Sequence, residues 1–232
     1  MNGSKVLDCE DIDFLSIGEG ENTLAALLLA LENNTDLNSV DGIIFKNNDK
    51  IIKTKPRSYV EDLDSLNFPL SNAPTVLRDF EKYPKEAFGY VFASRGCPYA
   101  CTFCESKSMW TRKVRYRSPE NIVAELKQMY EFGIKKVNFD DDTFGVSKKN
   151  IRAINDLLHD ELPSMTYTCE TVVQLAKDEN VVKDMKKGGC TATFVGIESG
   201  NNEILKKIKK TQTTDECIQA MQNLRKHGIE SH

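Results

Sequence analysis

The chain has 232 residues, with 31 Lys and Arg against 35 Asp and Glu, for a formal net charge of −4. At 40% apolar and 28% charged residues it has the make-up of a globular protein, which excludes collagen-like, low-complexity and strongly disordered classes. Its longest nearly uncharged apolar run, residues 24–31, is 8 residues long, against the roughly 20 that a membrane span needs.

Other exclusions follow from the same reading. The opening Met-Asn-Gly-Ser-Lys-Val-Leu-Asp runs into acids and does not read as a signal peptide, so a cytoplasmic location is expected. The negative balance gives no support for general nucleic-acid binding. Seven cysteines without a leader do not suggest a disulfide framework.

Residues 13–17 read as a buried strand. Gly18-Glu19-Gly20-Glu21 is a turn, and Asn22 can cap a helix over 23–32. A phosphate cradle at those glycines is disfavoured, because two adjacent glutamates would repel an anion. One strand–turn–helix unit cannot bury both its faces alone, so residues 1–40 are expected to be the tail of a larger domain. Residues 42–46 and 50–54 flank Asn47-Asn48-Asp49 in a hairpin pattern. The Pro- and Asp-containing stretch 56–84 reads as an ordered linker, which makes 41–87 a connection.

From residue 88 the pattern changes. Strands are expected over 88–94, 136–139, 165–169 and 191–197. Helices are expected from Ser118 and Pro119 to Gly133, then over 147–158, 178–187 and 202–227, the last broken near Thr211. This βα alternation predicts a parallel sheet with outer helices over 88–232. Four units do not close an eight-stranded barrel, and a further strand is expected after Gly228. Truncation at both ends is the expectation.

Cys97, Cys101 and Cys104 follow the first of these strands with the spacing C-x3-C-x2-C. In parallel α/β folds that strand end is the functional one. A zinc ribbon would need a second C-x2-C. A thioredoxin-like pair would leave Cys97 unexplained. An iron–sulfur cluster fits best, and three thiolates leave one iron of a [4Fe–4S] cubane without a protein ligand. Cys9 and Cys217 suggest no role. Cys169 reads as a packing residue that can approach the site, and Cys190 as lying at the opposite end of the sheet.

C-x3-C-x2-C after a first strand, with Phe103 before the last cysteine, resembles the radical S-adenosylmethionine (radical SAM) superfamily, from Tyr90 to the end. The resemblance implies a partial (β/α) TIM-type barrel. It also implies a [4Fe–4S] cluster on Cys97, Cys101 and Cys104, whose open iron binds S-adenosylmethionine, with Phe103 beside the adenine. Asp140, Asp141 and Asp142 stand where relatives often carry Gly-Gly-Glu, and can accept from the methionine ammonium. A cap or turn cluster is the other reading of these acids. Gly196-Ile197-Glu198-Ser199-Gly200 looks like the Gly-x-Glu-Ser-Gly segment of the superfamily, which makes Glu198 and Ser199 ligand contacts; Glu198 can instead cap the next helix. Cys169-Glu170-Thr171 matches some relatives, although Val172 and Gln174 replace their Arg and Asp. In the basic, aromatic stretch 107–117, an Arg such as Arg115 can pair with a carboxylate of the ligand, RNA binding being the other reading. Lys206, Lys207, Lys209 and Lys210 read as a solvated helix face.

The first segment also resembles the end of the Rossmann-like cobalamin-binding domain that precedes many such cores. The Asp-x-His-x-x-Gly cobalamin motif of that domain does not occur in these residues. The resemblance implies a radical SAM enzyme of the cobalamin-domain group, with methylation of an unactivated carbon or related chemistry. Its partners would be a small-molecule substrate and a reductant such as flavodoxin or ferredoxin, with cobalamin a candidate cofactor. The alternatives are a methylthiotransferase acting on tRNA or protein, an electron-transfer module and, more weakly, a zinc-binding domain.

Overall fold

The computed structural model describes residues 3–9, 11–48 and 50–232. Met1 and Asn2 of the opening segment, and Asp49 of the hairpin turn, lie outside the described residues. The chain divides into two compact units, Met1–Glu61 and Asp62–His232. The division falls at 61/62 rather than at 40 and 87, because the hairpin joins the sheet of the first unit.

The first unit contains β1 (Phe14–Ser16), α1 (Glu21–Glu32), β2 (Ile43–Asn47) and β3 (Lys50–Lys53). β1 pairs antiparallel with β2, Phe14 opposite Phe45, and β2 pairs antiparallel with β3. A Rossmann-like sheet is parallel, so the described part of this unit is not one by itself. Helix α1 starts ahead of the expected Thr23, with Gly20 as N-cap and Glu21 in its first turn. Asn22 therefore sits inside the helix. Thr23, Leu27 and Ala30 face inward, and Leu27 and Ala30 pack with Val40, Ile43 and Phe45. Leu24, Leu28 and Leu31, at helical spacing on another face, are 56%, 56% and 44% exposed. The plain-turn reading of Gly18–Glu21 acquires a partner: the buried Glu19 carboxylate accepts the Val60 N–H at 2.6 Å.

The second unit opens with α2 (Pro69–Val76), inside the expected linker. Pro69 suits the first helical position, but Pro74 further along removes a donor and obscures the helical signal. The linker acid Asp64 accepts the Ser118 N–H at 2.9 Å, at the start of a later helix. The elements that follow are β4 (Tyr90–Val91), β5 (Ser94–Arg95), α3 (Ser106–Met109), β6 (Arg115–Tyr116), α4 (Pro119–Phe132), β7 (Lys136–Phe139) and α5 (Lys148–Glu161). Then come β8 (Thr166–Thr171), α6 (Val173–Ala176), α7 (Glu179–Lys187), β9 (Cys190–Val195), α8 (Asn202–Lys207), α9 (Thr214–Lys226) and β10 (Glu230–Ser231). Five strands form a parallel sheet in the order β10-β9-β8-β7-β4. β10 is the strand expected after Gly228. The caps are local: Ser118, Ser147, Asp178 and Thr213 each accept a backbone N–H of the following first turn. No helix among the described residues is long and apolar enough to cross a membrane.

The strand expected over 88–94 is split in two. β4 ends at Val91, and β5 pairs antiparallel with β6 instead. The physical reason is Asp141, 2% exposed, whose carboxylate takes the Ala93 N–H at 2.7 Å and the Ser94 hydroxyl at 2.5 Å. A side chain supplies acceptors where a strand would. Arg117 completes the joint: its guanidinium donates to the Phe92 carbonyl at 2.9 Å and pairs with the buried Glu125.

Behind the sheet, Phe139 stacks on Phe144 with centroids 4.4 Å apart, and Tyr167 meets Phe139 edge-on at 5.1 Å. The Tyr167 hydroxyl donates to Asn155 Oδ1 at 2.8 Å, and Asn155 Nδ2 donates to the Ile151 carbonyl at 2.7 Å. Gly188 closes over this pair, because a Cβ there would stand 1.9 Å from Asn155 Oδ1.

Two expectations follow. Gly188→Ala must displace the fully buried Asn155 and break its bond to Tyr167. A loss of about 2 kcal/mol is expected, read as a lower urea midpoint at unchanged slope; an unmoved midpoint would contradict it. The second concerns pH. Burial pushes the Asp141 carboxyl up to about 7, against its hydrogen-bond donors, with Asp142 adding to the rise. Between an ordinary value near 3.8 and about 7 the folded chain holds a proton that the unfolded chain has lost. The stability from this group is therefore full below about pH 4 and falls toward pH 7, at no more than about 1.4 kcal/mol per unit. Asp141→Asn keeps the shape without ionising and should flatten that part of a Tm-against-pH profile. A variant profile parallel to that of the unaltered chain would refute the assignment.

Candidate active site

The cysteine loop leaves β5 at Gly96, whose φ is +100°. A Cβ there would lie 2.8 Å from the Lys113 carbonyl oxygen, so only glycine fits the turn. The Arg95 guanidinium lies 5.3 Å from the Trp110 ring centroid. The Thr102 N–H donates to the Ile208 carbonyl at 3.1 Å and ties the loop to the connector between α8 and α9. The Cys97 sulfur stands 3.6 Å from Thr143 Oγ1, and the Cys104 sulfur accepts the Ser106 N–H at 3.4 Å. All three thiols are free and half-buried.

The three cysteines line a cavity of about 390 Å³. Its other walls are the C-terminal ends of the strands: Asp142 and Thr143 after β7, Glu170 and Thr171 of β8, and Gly196 and Glu198 after β9. Residues 209–212 of the α8–α9 connector close one side. In parallel α/β sheets ligands bind in this position.

The sequence-derived candidates separate here. Cys97, Cys101, Phe103, Cys104, Asp142 and Glu198 all line the cavity. Asp141 does not: it is buried in the β4–β5 joint. Asp140 is exposed and accepts from the Asn138 amide at 3.1 Å. Adjacent residues leaving a strand point to opposite sides, so three consecutive acids cannot share one site. Ser199 is outside the lining, its hydroxyl accepting the Asn201 N–H at 3.2 Å. Arg115 is 5% exposed, lies opposite Arg95 in the β5–β6 pair, and is also outside the lining. Cys169 is fully buried, its thiol donating toward Thr193 Oγ1 and lying beside Cys190, so it does not approach the cavity.

Several lining residues carried no role in the sequence reading. Thr143 adjoins an acid run and a sulfur, and Val172 and Gln174, which depart from the pattern of the relatives, nonetheless line the cavity. Lys210 belongs to a lysine run that reads as solvated, yet its side chain is only 9% exposed. Its ammonium is 2.9 Å from Glu198 Oε1. Burial pushes the Cys101 thiol up, and the Lys210 charge pulls it partly back. Burial likewise raises the Tyr99 phenol, with Cys97 and Cys101 adding to the rise.

The donor set suits an iron–sulfur cluster. Three free thiols meet at one cavity, the Cys104 sulfur accepting an N–H and the Cys97 sulfur lying beside the Thr143 hydroxyl, and thiolates are the usual ligands of such clusters. Among the described residues no three His, Cys, Asp or Glu side chains are close enough to share a single ion.

Residues 91–232 match the Radical SAM superfamily. An uncharacterized methyltransferase of Pyrococcus horikoshii is 34% identical over 225 residues, 96% of this chain and 48% of that protein. The anaerobic magnesium-protoporphyrin IX monomethyl ester cyclase of Synechocystis is 33% identical, over 94% of this chain and 44% of the cyclase. Among solved structures, the cobalamin-dependent S-adenosylmethionine radical enzyme OxsB shares the fold, with a TM-score of 0.83 at 19% identity over 100% of this chain and 34% of that one. The chain thus spans about half the length of the curated relatives it matches. A [4Fe–4S] cluster and S-adenosylmethionine are the cofactors of the matched superfamily. Its pattern covers more than half of the chain and begins within β4, just ahead of the cysteine loop: the chain belongs to the radical SAM superfamily.

Proposed function

We propose that this chain carries the radical-forming centre of an enzyme in the cobalamin-domain group, acting on a small molecule by methyl transfer or a related carbon-centred reaction. The observation that carries the reading is the meeting of Cys97, Cys101 and Cys104 with Phe103, Asp142 and Glu198 on one cavity at the strand ends. The methyltransferase and cyclase names of the relatives support the reaction class. When bound, the cluster supplies the electron that cleaves S-adenosylmethionine to methionine and a 5′-deoxyadenosyl radical.

The residues of the chain would then have distinct tasks. The three thiolates hold three irons, and the Ser106 N–H donates to the Cys104 sulfur. Phe103, 55% exposed, offers a face to the adenine. Asp142 and Glu198 accept from the ammonium and hydroxyl donors of the ligand. Phe194 and Val172 give the cavity apolar wall, which keeps water from a radical. A flavodoxin or ferredoxin would be the electron donor. Free cysteines throughout the described residues suit a reducing, cytoplasmic setting. Cobalamin would be held by the part of the protein to which the first unit belongs.

The test is anaerobic reconstitution with iron and sulfide, followed by reduction and electron paramagnetic resonance. A cubane signal that changes on adding S-adenosylmethionine is expected, with cluster iron lost in Cys101→Ala. A signal indifferent to S-adenosylmethionine would favour an electron-transfer module instead.

A further inference from the structure

Lys210 is placed as no surface lysine is. Its side chain is 9% exposed, and its ammonium contacts Glu198 Oε1 at 2.9 Å and donates to the Gly196 carbonyl at 3.2 Å. It also lies 5.9 Å from the centroid of the Phe103 ring. A glycine at 196 leaves room for this pairing: a Cβ there would be 2.7 Å from Glu198 Oε1 and 2.8 Å from Lys210 Nζ, so those side-chain ends would have to shift.

The turn that Lys210 holds is strained. The Ser199 N–H donates to the Ile197 carbonyl at 2.8 Å, across a three-residue turn centred on Glu198. Glu198 has φ +66°, a left-handed backbone that non-glycine residues seldom adopt. Strain of this kind persists only where surrounding groups hold it. Here they come from the α8–α9 connector: Gln212 Nε2 donates to the Gly196 and Ile197 carbonyls at 2.8 and 3.0 Å, beside the Lys210 contacts. Thermodynamic stability does not explain the arrangement. A largely buried ion pair returns little net stability after desolvation, and the turn itself is costly. Glu198 is 32% exposed toward the cavity, and Lys210 engages its Oε1.

We propose that Lys210 is a positioning residue: it holds the Glu198 turn so that the second carboxylate oxygen faces the cavity as a fixed acceptor for a donor group of the bound ligand. This rests on the reading of the cavity as the S-adenosylmethionine site. The task falls to a lysine because an ammonium can reach one carboxylate oxygen and one carbonyl together. An arginine can reproduce that pairing, and a methionine fills the space without the charge.

The test is a double-mutant cycle on the reconstituted chain, with S-adenosylmethionine as the titrant and the electron paramagnetic resonance change as the readout. The proteins are unaltered, Lys210→Met, Lys210→Arg, Glu198→Gln and Lys210→Met with Glu198→Gln. The expected result is a dissociation constant about tenfold weaker in Lys210→Met, or about 1.4 kcal/mol. Lys210→Arg should recover most of the loss, and the double variant should be no weaker than either single one. The cluster signal without ligand should persist in all of them. Unchanged affinity in Lys210→Met, or strictly additive losses in the double variant, would overturn the proposal. Failure of the unaltered chain to respond to S-adenosylmethionine would instead overturn the reading of the cavity. If Lys210→Met loses its cluster, Lys210→Arg against Glu198→Gln decides: equal losses in both refute the proposal, and a loss in Glu198→Gln alone supports it.

Discussion

The buried carboxylate of Asp141 carries the geometry on which the site depends. Past Val91 the chain must leave the sheet to place a cysteine loop over the strand ends, and its backbone groups then lose their ladder partners. A buried N–H without an acceptor costs about 1–3 kcal/mol. Asp141 answers the Ala93 N–H and the Ser94 hydroxyl together, while Arg117 answers the Phe92 carbonyl and is itself neutralised by Glu125. The departure of one strand is thus completed by Asp141, just after β7, and by Arg117, just ahead of α4, with Glu125 of α4 behind it. Asp141 and Thr143 leave the same stretch after β7, so one segment both anchors the loop and meets its first sulfur.

The cavity balances opposite charges in a partly dry place. Asp142, Glu170 and Glu198 contribute carboxylates to its wall, and the ammonium of Lys210 is engaged by Glu198. The Cys104 sulfur accepts the Ser106 N–H, and the Lys210 charge pulls the Cys101 thiol back against the effect of burial. Such a wall suits a ligand that brings its own positive charge, as a sulfonium or ammonium does. The same low-dielectric setting makes each misplaced polar group expensive, which is why the connector from α8 to α9 spends several donors on one short turn.

The first unit presents a different physical problem. Helix α1 buries Thr23, Leu27 and Ala30 but leaves Leu24, Leu28 and Leu31 exposed on another face. A contiguous exposed apolar stripe of this kind is the sort of surface that interaction sites use. The sheet of this unit departs from the Rossmann-like expectation at β1, which pairs antiparallel with β2 although α1 lies between them, while β2 and β3 form the expected hairpin.

What the sequence determined by itself was mainly local. The caps at Ser118, Ser147 and Asp178, the αL glycine ending α4, and the period of each βα unit act within a few residues, so the parallel sheet and its helices were legible. The cysteine spacing was legible for the same reason: one short loop carries all three thiols. Helix α2 was hidden because its prolines disguise the pattern, and the β5–β6 pair because nothing local marks where a strand leaves its sheet. Which of Asp140, Asp141 and Asp142 faces the cavity depends on the side from which β4 departs. Whether Lys210 is solvated or buried depends on where the α8–α9 connector crosses the end of β9. Both outcomes are set by contacts between segments far apart in the chain, where register and burial, rather than residue type, decide what a charged group can touch.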